Sequence, residues 1–129
     1  MRSVYLAGAI HHTEYDETWR EQAFRVMGDY FNMKAIDPLE YDEPDGLISD
    51  HEIVNRDLYL ISACDAVLVD GRTPSWGTGM EVYEAYNMRI PVVVWGKDED
   101  GASVWLRHFS VSFQPTLMLA IEYLARLLI

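Results

Sequence analysis

The sequence predicts an α/β domain built on a mostly parallel sheet, doubly wound, with helices on both faces. Three observations lead there. The strand-like runs Val4–Ala7, Ala66–Val69 and Val92–Trp95 are apolar throughout rather than alternating, as in strands buried on both faces. Between them lie longer segments with apolar residues at helical spacing, so the crossovers are helical. No internal repeat, linker or low-complexity tract divides the 129 residues, which places residues 1–129 in one domain.

Taken in order, residues 3–7 form a short apolar run closed by Gly8, a strand ending in a tight turn. From about Asp16 to Met33, Trp19, Ala23, Val26, Met27 and Tyr30 share one helical stripe. Lys34 to Ile36 reads as a second strand, halted by Asp37-Pro38. Residues 38–48 are acidic and rich in turn formers, so a mobile loop is expected. Ser49 and Glu52 have the spacing of a capping box, opening a helix to about Ala63. Asp65–Asp70 is a buried strand, Gly71–Gly77 a loop, and Thr78–Met88 a helix. Pro91–Trp95 is a further strand, followed by a polar loop over 96–101 and an extended piece near Phe109–Val111. A last helix carries Leu117, Ala120, Ile121, Leu124 and Leu128 on one face.

Composition narrows the function. Twenty-one acidic against ten basic side chains leave a net charge of −11, a field that repels a nucleic-acid polymer. A single small anion remains bindable, because the N–H groups at one helix N-terminus act locally. Half the residues are hydrophobic, enough for an apolar core without metal or disulfide staples. Cys64 is the only cysteine, which excludes an internal disulfide and suits a reducing compartment. The first eight residues do not have the form of a signal peptide, and no apolar run approaches the roughly 18 residues of a membrane span. A soluble, cytoplasmic protein is expected, without membrane partners.

In a doubly wound sheet, ligands sit beyond the carboxyl ends of the strands. Here that rim comprises residues 8–13, 37–48, 70–79 and 96 onward. Within it, Ser75-x-Gly77-x-Gly79-x-Glu81 is the most informative segment. Two glycines let backbone approach a ligand closely, and the helix after them aims free N–H groups into the cleft. Glu81 is expected in the first turn of that helix, where the dipole favours an ionised carboxylate. Beside a sugar, such a group is the nucleophile of retaining glycosyl chemistry. The plain alternative is a helix-start glutamate with no role.

Asp57 shares a stripe with Ile53 and Ile61, and a carboxylate there is costly unless paired or used. It either relays a proton to a departing base or forms an ion pair with Arg56 or another arginine. Tyr5, near the rim, is placed to orient Glu81; a core tyrosine is the alternative. His11 and His12 line the pocket or are solvated, since adjacent histidines rarely ligate one metal and nothing nearby completes a site. Asp37 and Asp70 end strands, and turn capping accounts for both. Cys64 has no basic activator and reads as core. No metal or organic cofactor is expected.

The ordered series Tyr5-Leu-Ala-Gly8, Arg56-Asp57-Leu-Tyr-Leu-Ile61, Asp65–Val69, Ser75-x-Gly-x-Gly-x-Glu81 and Pro91–Val94 resembles the nucleoside 2-deoxyribosyltransferase family over nearly the whole chain. The resemblance implies a flavodoxin-like five-stranded parallel sheet, a nucleophilic Glu81, Asp57 near the base and Tyr5 positioning the nucleophile. It implies a nucleoside or nucleotide as ligand; Gly8, Ser75, Gly77, Gly79, His11 and Asp37, all on the strand-end rim, are the candidate binding positions. It also implies a homodimer or larger homo-oligomer with shared sites, for which Trp105–Ser112 is the expected donor segment, with Ser110 and Ser112 as candidates. The C-terminal helix, with its wide apolar face, is the expected assembly surface.

One departure bears on the reaction. Six residues before the glutamate, the transferase branch usually has aspartate, and here stands Ser75. Serine at that position resembles the relatives that hydrolyse nucleoside 5'-monophosphates, and a hydroxyl can donate to a phosphate that an aspartate would repel. The loop after Gly8 has no arginine, so His11 or His12 would have to serve as phosphate partner. The expected reaction is cleavage of an N-glycosidic bond, resolved by a second base, or alternatively by water. A nucleotide-binding sensor without turnover is the rival from another class, but it has no need of Glu81, Asp57 and Tyr5 together. A dinucleotide enzyme is disfavoured, because Tyr5-Leu-Ala-Gly-Ala-Ile lacks the GxGxxG fingerprint.

Overall fold

The computed structural model describes residues 1–10, 14–42, 46 and 48–129. Five strands form one parallel sheet: β1 (Arg2–Ala7), β2 (Met33–Ile36), β3 (Ala66–Asp70), β4 (Val92–Trp95) and β5 (Ser112–Gln114), in the order β2-β1-β3-β4-β5. The helices are α1 (Glu14–Phe31), α2 (Asp50–Ser62), α3 (Trp76–Asn87), α4 (Val104–Phe109) and α5 (Leu117–Leu127). Alternation along β1 divides the core. Val4 and Leu6 pack with Trp19, Met27, Ile121 and Leu124 of α1 and α5. Tyr5 and Ala7 face the opposite layer, with Ile61 of α2 and Val82 of α3. The order reverses between β1 and β3, and at such a switch point the two crossovers part and leave a crevice.

Several boundaries differ from the sequence expectations. Helix α1 ends at Phe31, and Asn32 takes a left-handed φ of 52°, a conformation asparagine tolerates at a helix end. Met33 is therefore released into β2, and Tyr30 is exposed rather than on the buried stripe. Pro38–Tyr41, expected as mobile loop, is a 3-10 turn capped by the Asp37 carboxylate on Leu39 N–H at 3.0 Å. Ser49 caps α2: its Oγ accepts from Glu52 N–H and donates to Glu52 Oε1.

Two further differences concern the site side of the molecule. A six-residue helix, α4, capped by Ser103, occupies 104–109, and the last strand starts later, at Ser112. The apolar face of α5 is closed against its own sheet, with Ile121 and Leu124 fully buried; it is not an assembly surface. The most exposed large apolar side chains near the site lie on α3 and α4, where Trp76 is 89% and Trp105 69% exposed, with Met80 and Val104 exposed nearby. Among the described residues no helix is long and apolar enough to cross a membrane.

Candidate active site

Helix α3 begins at Trp76, two residues earlier than expected, with Ser75 as its N-cap. Glu81 is consequently in the second turn, and no acidic residue occupies the first. The dipole argument for a permanently ionised carboxylate loses force, since that field fades within one turn. What surrounds Glu81 instead is protein. Tyr5, wholly buried in β1, donates its hydroxyl to Glu81 Oε2. Among the described residues no hydrogen bond reaches Oε1.

Burial pushes the Glu81 carboxyl up to about 7, and the Asp57 charge adds to the rise, while the Tyr5 hydrogen bond and Arg20 pull it down. Burial is the largest cause because it penalises the charged form. At neutral pH this glutamate is poised between acid and carboxylate rather than fixed as an anion. The Tyr5 hydroxyl is raised far beyond its ordinary value, by burial first and then by the Glu81 charge, so it stays a proton donor.

Asp57 on α2 acts electrostatically on both Tyr5 and Glu81. Its Oδ1 accepts from Arg56 Nε at 3.0 Å, and Arg56 Nη1 reaches Asp42 Oδ1 at 2.8 Å. The ion pair considered from sequence is thus present, and it coexists with proximity to Glu81. Burial raises the Asp57 carboxyl against the opposing pull of Arg56, so a proton resides there more readily than on an ordinary aspartate.

Gly8 stands at the switch point. A Cβ there would lie 3.0 Å from Asp70 Cβ and 3.1 Å from Trp19 Cζ2, so the close approach of β1 and β3 admits only glycine without displacement. Gly77 and Gly79 differ: a Cβ at either meets nothing within 4 Å. Packing does not demand these two glycines, and the space beside them is open. Ser75 Oγ accepts from Thr78 N–H at 3.4 Å. Asp37 pairs with Arg20 at 2.9 Å besides capping its turn. Asp70 holds Arg72 through both carboxylate oxygens at 3.0 Å. His11 and His12 lie outside the described residues. Cys64 is buried and its thiol is pushed up to about 12, chiefly by burial.

A cavity of about 320 Å³ opens on the α4 side of α3, lined by Asp70, Arg72, Ser75, Thr78, Lys97 and Trp105 among others. Tyr5, Asp57 and Glu81 do not line it; they gather on the α2 side. Ser75 and Gly79 line the cavity from the same helix that carries Glu81. Thr78 Oγ1 is buried and has no hydrogen-bond partner among the described residues. Sequence reasoning missed two residues of this region. Thr78 lies inside the glycine motif and was hidden by it. Arg20, only 4% exposed, gave no signal beyond its place next to Trp19 on the α1 stripe. Among the described residues no group of three or more His, Cys, Asp or Glu is arranged to hold a metal ion.

The family model described as nucleoside 2-deoxyribosyltransferase matches residues 4–115. This chain belongs to the nucleoside 2-deoxyribosyltransferase family. A Methanosarcina mazei protein, described as a candidate 2'-deoxynucleoside 5'-phosphate N-hydrolase 1, is 30% identical over 96 residues, covering 71% of this chain and 59% of that protein. The match therefore spans less than two thirds of that relative. Solved structures of the fold include the 2-desoxiribosyltransferase from Leishmania mexicana (TM-score 0.74, 16% identity, 98% of each chain). The 2-deoxyribosyltransferase from Bacillus psychrosaccharolyticus superposes with TM-score 0.70 at 18% identity over 86% of this chain and 84% of that one. A CMP N-glycosidase from Clostridium botulinum gives 0.64 at 19% identity, over 98% and 97%. The relatives of this family and fold are thus described as 2-deoxyribosyltransferases and as N-hydrolases.

Proposed function

We propose that the chain, acting as one domain, cleaves the N-glycosidic bond of a 2'-deoxynucleoside or its 5'-monophosphate, with Glu81 as nucleophile. The observation that carries this reading is the Tyr5–Glu81 hydrogen bond beside Asp57 at the switch point. Tyr5 occupies Oε2, which leaves Oε1 to attack C1'. The C1'–N bond breaks, its electron pair goes to the base nitrogen, and Asp57 supplies or relays the proton. A second base then attacks C1', its N–H proton returning to Asp57, and the C1'–O bond breaks with its electron pair going back to Glu81, regenerating a nucleoside; water attacking in the same way, its proton going to Asp57, yields the free sugar. No step calls for a metal or organic cofactor.

Hydrolysis of monophosphates is favoured as the alternative outcome by two features. Ser75 replaces an acidic residue, and the neighbouring cavity offers the buried Thr78 hydroxyl and the Lys97 ammonium to an anion. His11 and Asp37 remain proposed contacts, Asp37 through the oxygen not held by Arg20. A second copy of the chain covering the exposed α3–α4 face would complete the site; this face replaces α5 as the proposed assembly surface. The test is to incubate the protein with deoxynucleosides and deoxynucleotides, with and without free base, and separate the products. Exchange of base supports transfer, sugar phosphate supports hydrolysis, and no cleavage of any of them refutes the reading.

A further inference from the structure

The guanidinium of Arg20 joins three parts of the rim. Pairing of β1 with β2 ends at Tyr5–Ile36, so no strand lies beside the carbonyls that follow on that edge. Arg20 takes them: Nη1 donates to Leu6 O at 3.2 Å and Nη2 to Gly8 O at 3.1 Å. Nη1 also donates to Asp37 Oδ1 at 2.9 Å, tying the end of β2 to the end of β1. Its carbon lies 5.0 Å from the Trp19 ring centroid, and among the described residues its buried Nε finds no hydrogen-bond partner. A buried guanidinium is costly. The two carbonyls alone could have been satisfied by a neutral donor; the charge is matched by the Asp37 carboxylate, so it is the pairing of β1 with the end of β2 that requires a guanidinium.

We propose that Arg20 is a positioning residue for this chemistry: it locks Gly8 and Asp37 into one rigid wall of the proposed sugar site. The groups that act on the Glu81 carboxyl are Tyr5 from β1, Asp57 from α2 and Arg20 from α1; Arg56 and Asp42 act on Asp57. Tyr5 is neutral and Arg56 is engaged by two carboxylates. Arg20 is the cation that lowers the Glu81 carboxyl, and it does the same for Asp57 and Tyr5. Lysine cannot reproduce the role, because one ammonium cannot fork across two carbonyls and a carboxylate with fixed geometry.

The inference rests on Glu81 as nucleophile, and its test keeps the two apart. The Glu81 carboxyl is followed by carbon NMR with labelled glutamate, its signal identified by its loss in Glu81→Gln. In folded Arg20→Met the Glu81 midpoint should rise above the wild-type value. In Arg20→Lys the midpoint should stay near wild type, while kcat measured well above that midpoint falls roughly tenfold or more, as misplaced reacting groups predict. A folded Arg20→Met with an unchanged midpoint overturns the electrostatic role, and Arg20→Lys with wild-type kcat overturns the positioning role. If Arg20→Met does not fold, Arg20→Lys decides. Retained turnover in Glu81→Gln would refute the nucleophile and leave the NMR result on Arg20 standing.

Discussion

Replacing Glu81 by glutamine should abolish turnover and, at alkaline pH, make the protein more stable. The folded carboxyl is held near 7 against an ordinary value of 4.5. A carboxyl raised in this way binds its proton more tightly folded than unfolded. Stability is therefore undiminished below about 4.5, falls as pH rises to about 7, and stays lower above. At about 1.4 kcal/mol per pH unit the ionised glutamate costs the fold about 3 kcal/mol. Glutamine matches the neutral acid in shape and can still accept from Tyr5, so it escapes that cost. Denaturant titrations of wild type and Glu81→Gln at pH 5 and pH 8.5 should show a small gap at the lower pH and a gap of about 2–3 kcal/mol at the higher, glutamine being the more stable. Product formation should drop by several orders of magnitude, while wild-type kcat/KM rises through pH 7 as the nucleophile ionises. Parallel stability curves would show that Glu81 is not held as a buried acid, and near-normal turnover would show that it is not the nucleophile.

Asp57→Asn should slow reaction by roughly 10²–10⁴-fold for bases that leave poorly without a proton, and far less for a readily departing base; equal losses for both in steady-state assays would exclude the relay. Gly8→Ala forces a Cβ to within 3.0 Å of Asp70 and 3.1 Å of Trp19, and should lower stability by about 1–3 kcal/mol, read as a shift in denaturant midpoint. Trp105→Glu places a charge on the exposed α3–α4 face and should reduce the mass measured by light scattering from an oligomer to a monomer; a wild-type monomer would remove the shared site.

The sequence by itself determined the sheet class and named the candidate site residues. Wholly apolar strands separated by helical stripes have few other solutions, and Glu81, Asp57, Tyr5 and Gly8 stood out by residue type and spacing. The cap at Ser49 was local too, since an N-cap needs only a hydroxyl and the N–H groups two and three residues on; the equally local cap at Ser75 was hidden inside the stretch read as a loop. Tertiary structure decided the rest. Helix α4 is too short to show a period, and it persists because Leu106 and Phe109 pack against the α2–α3 layer. The ionisation of Glu81 reversed the local expectation, because burial beside Tyr5 and Asp57 outweighs a helix dipole one turn away. Arg20 was invisible for the same reason: its acceptors are the carbonyls of Leu6 and Gly8 and the carboxylate of Asp37, twelve to seventeen residues away. Spacing within one element reveals which residues share a face. Only the folding of β1, β2 and α1 against one another reveals what that face meets.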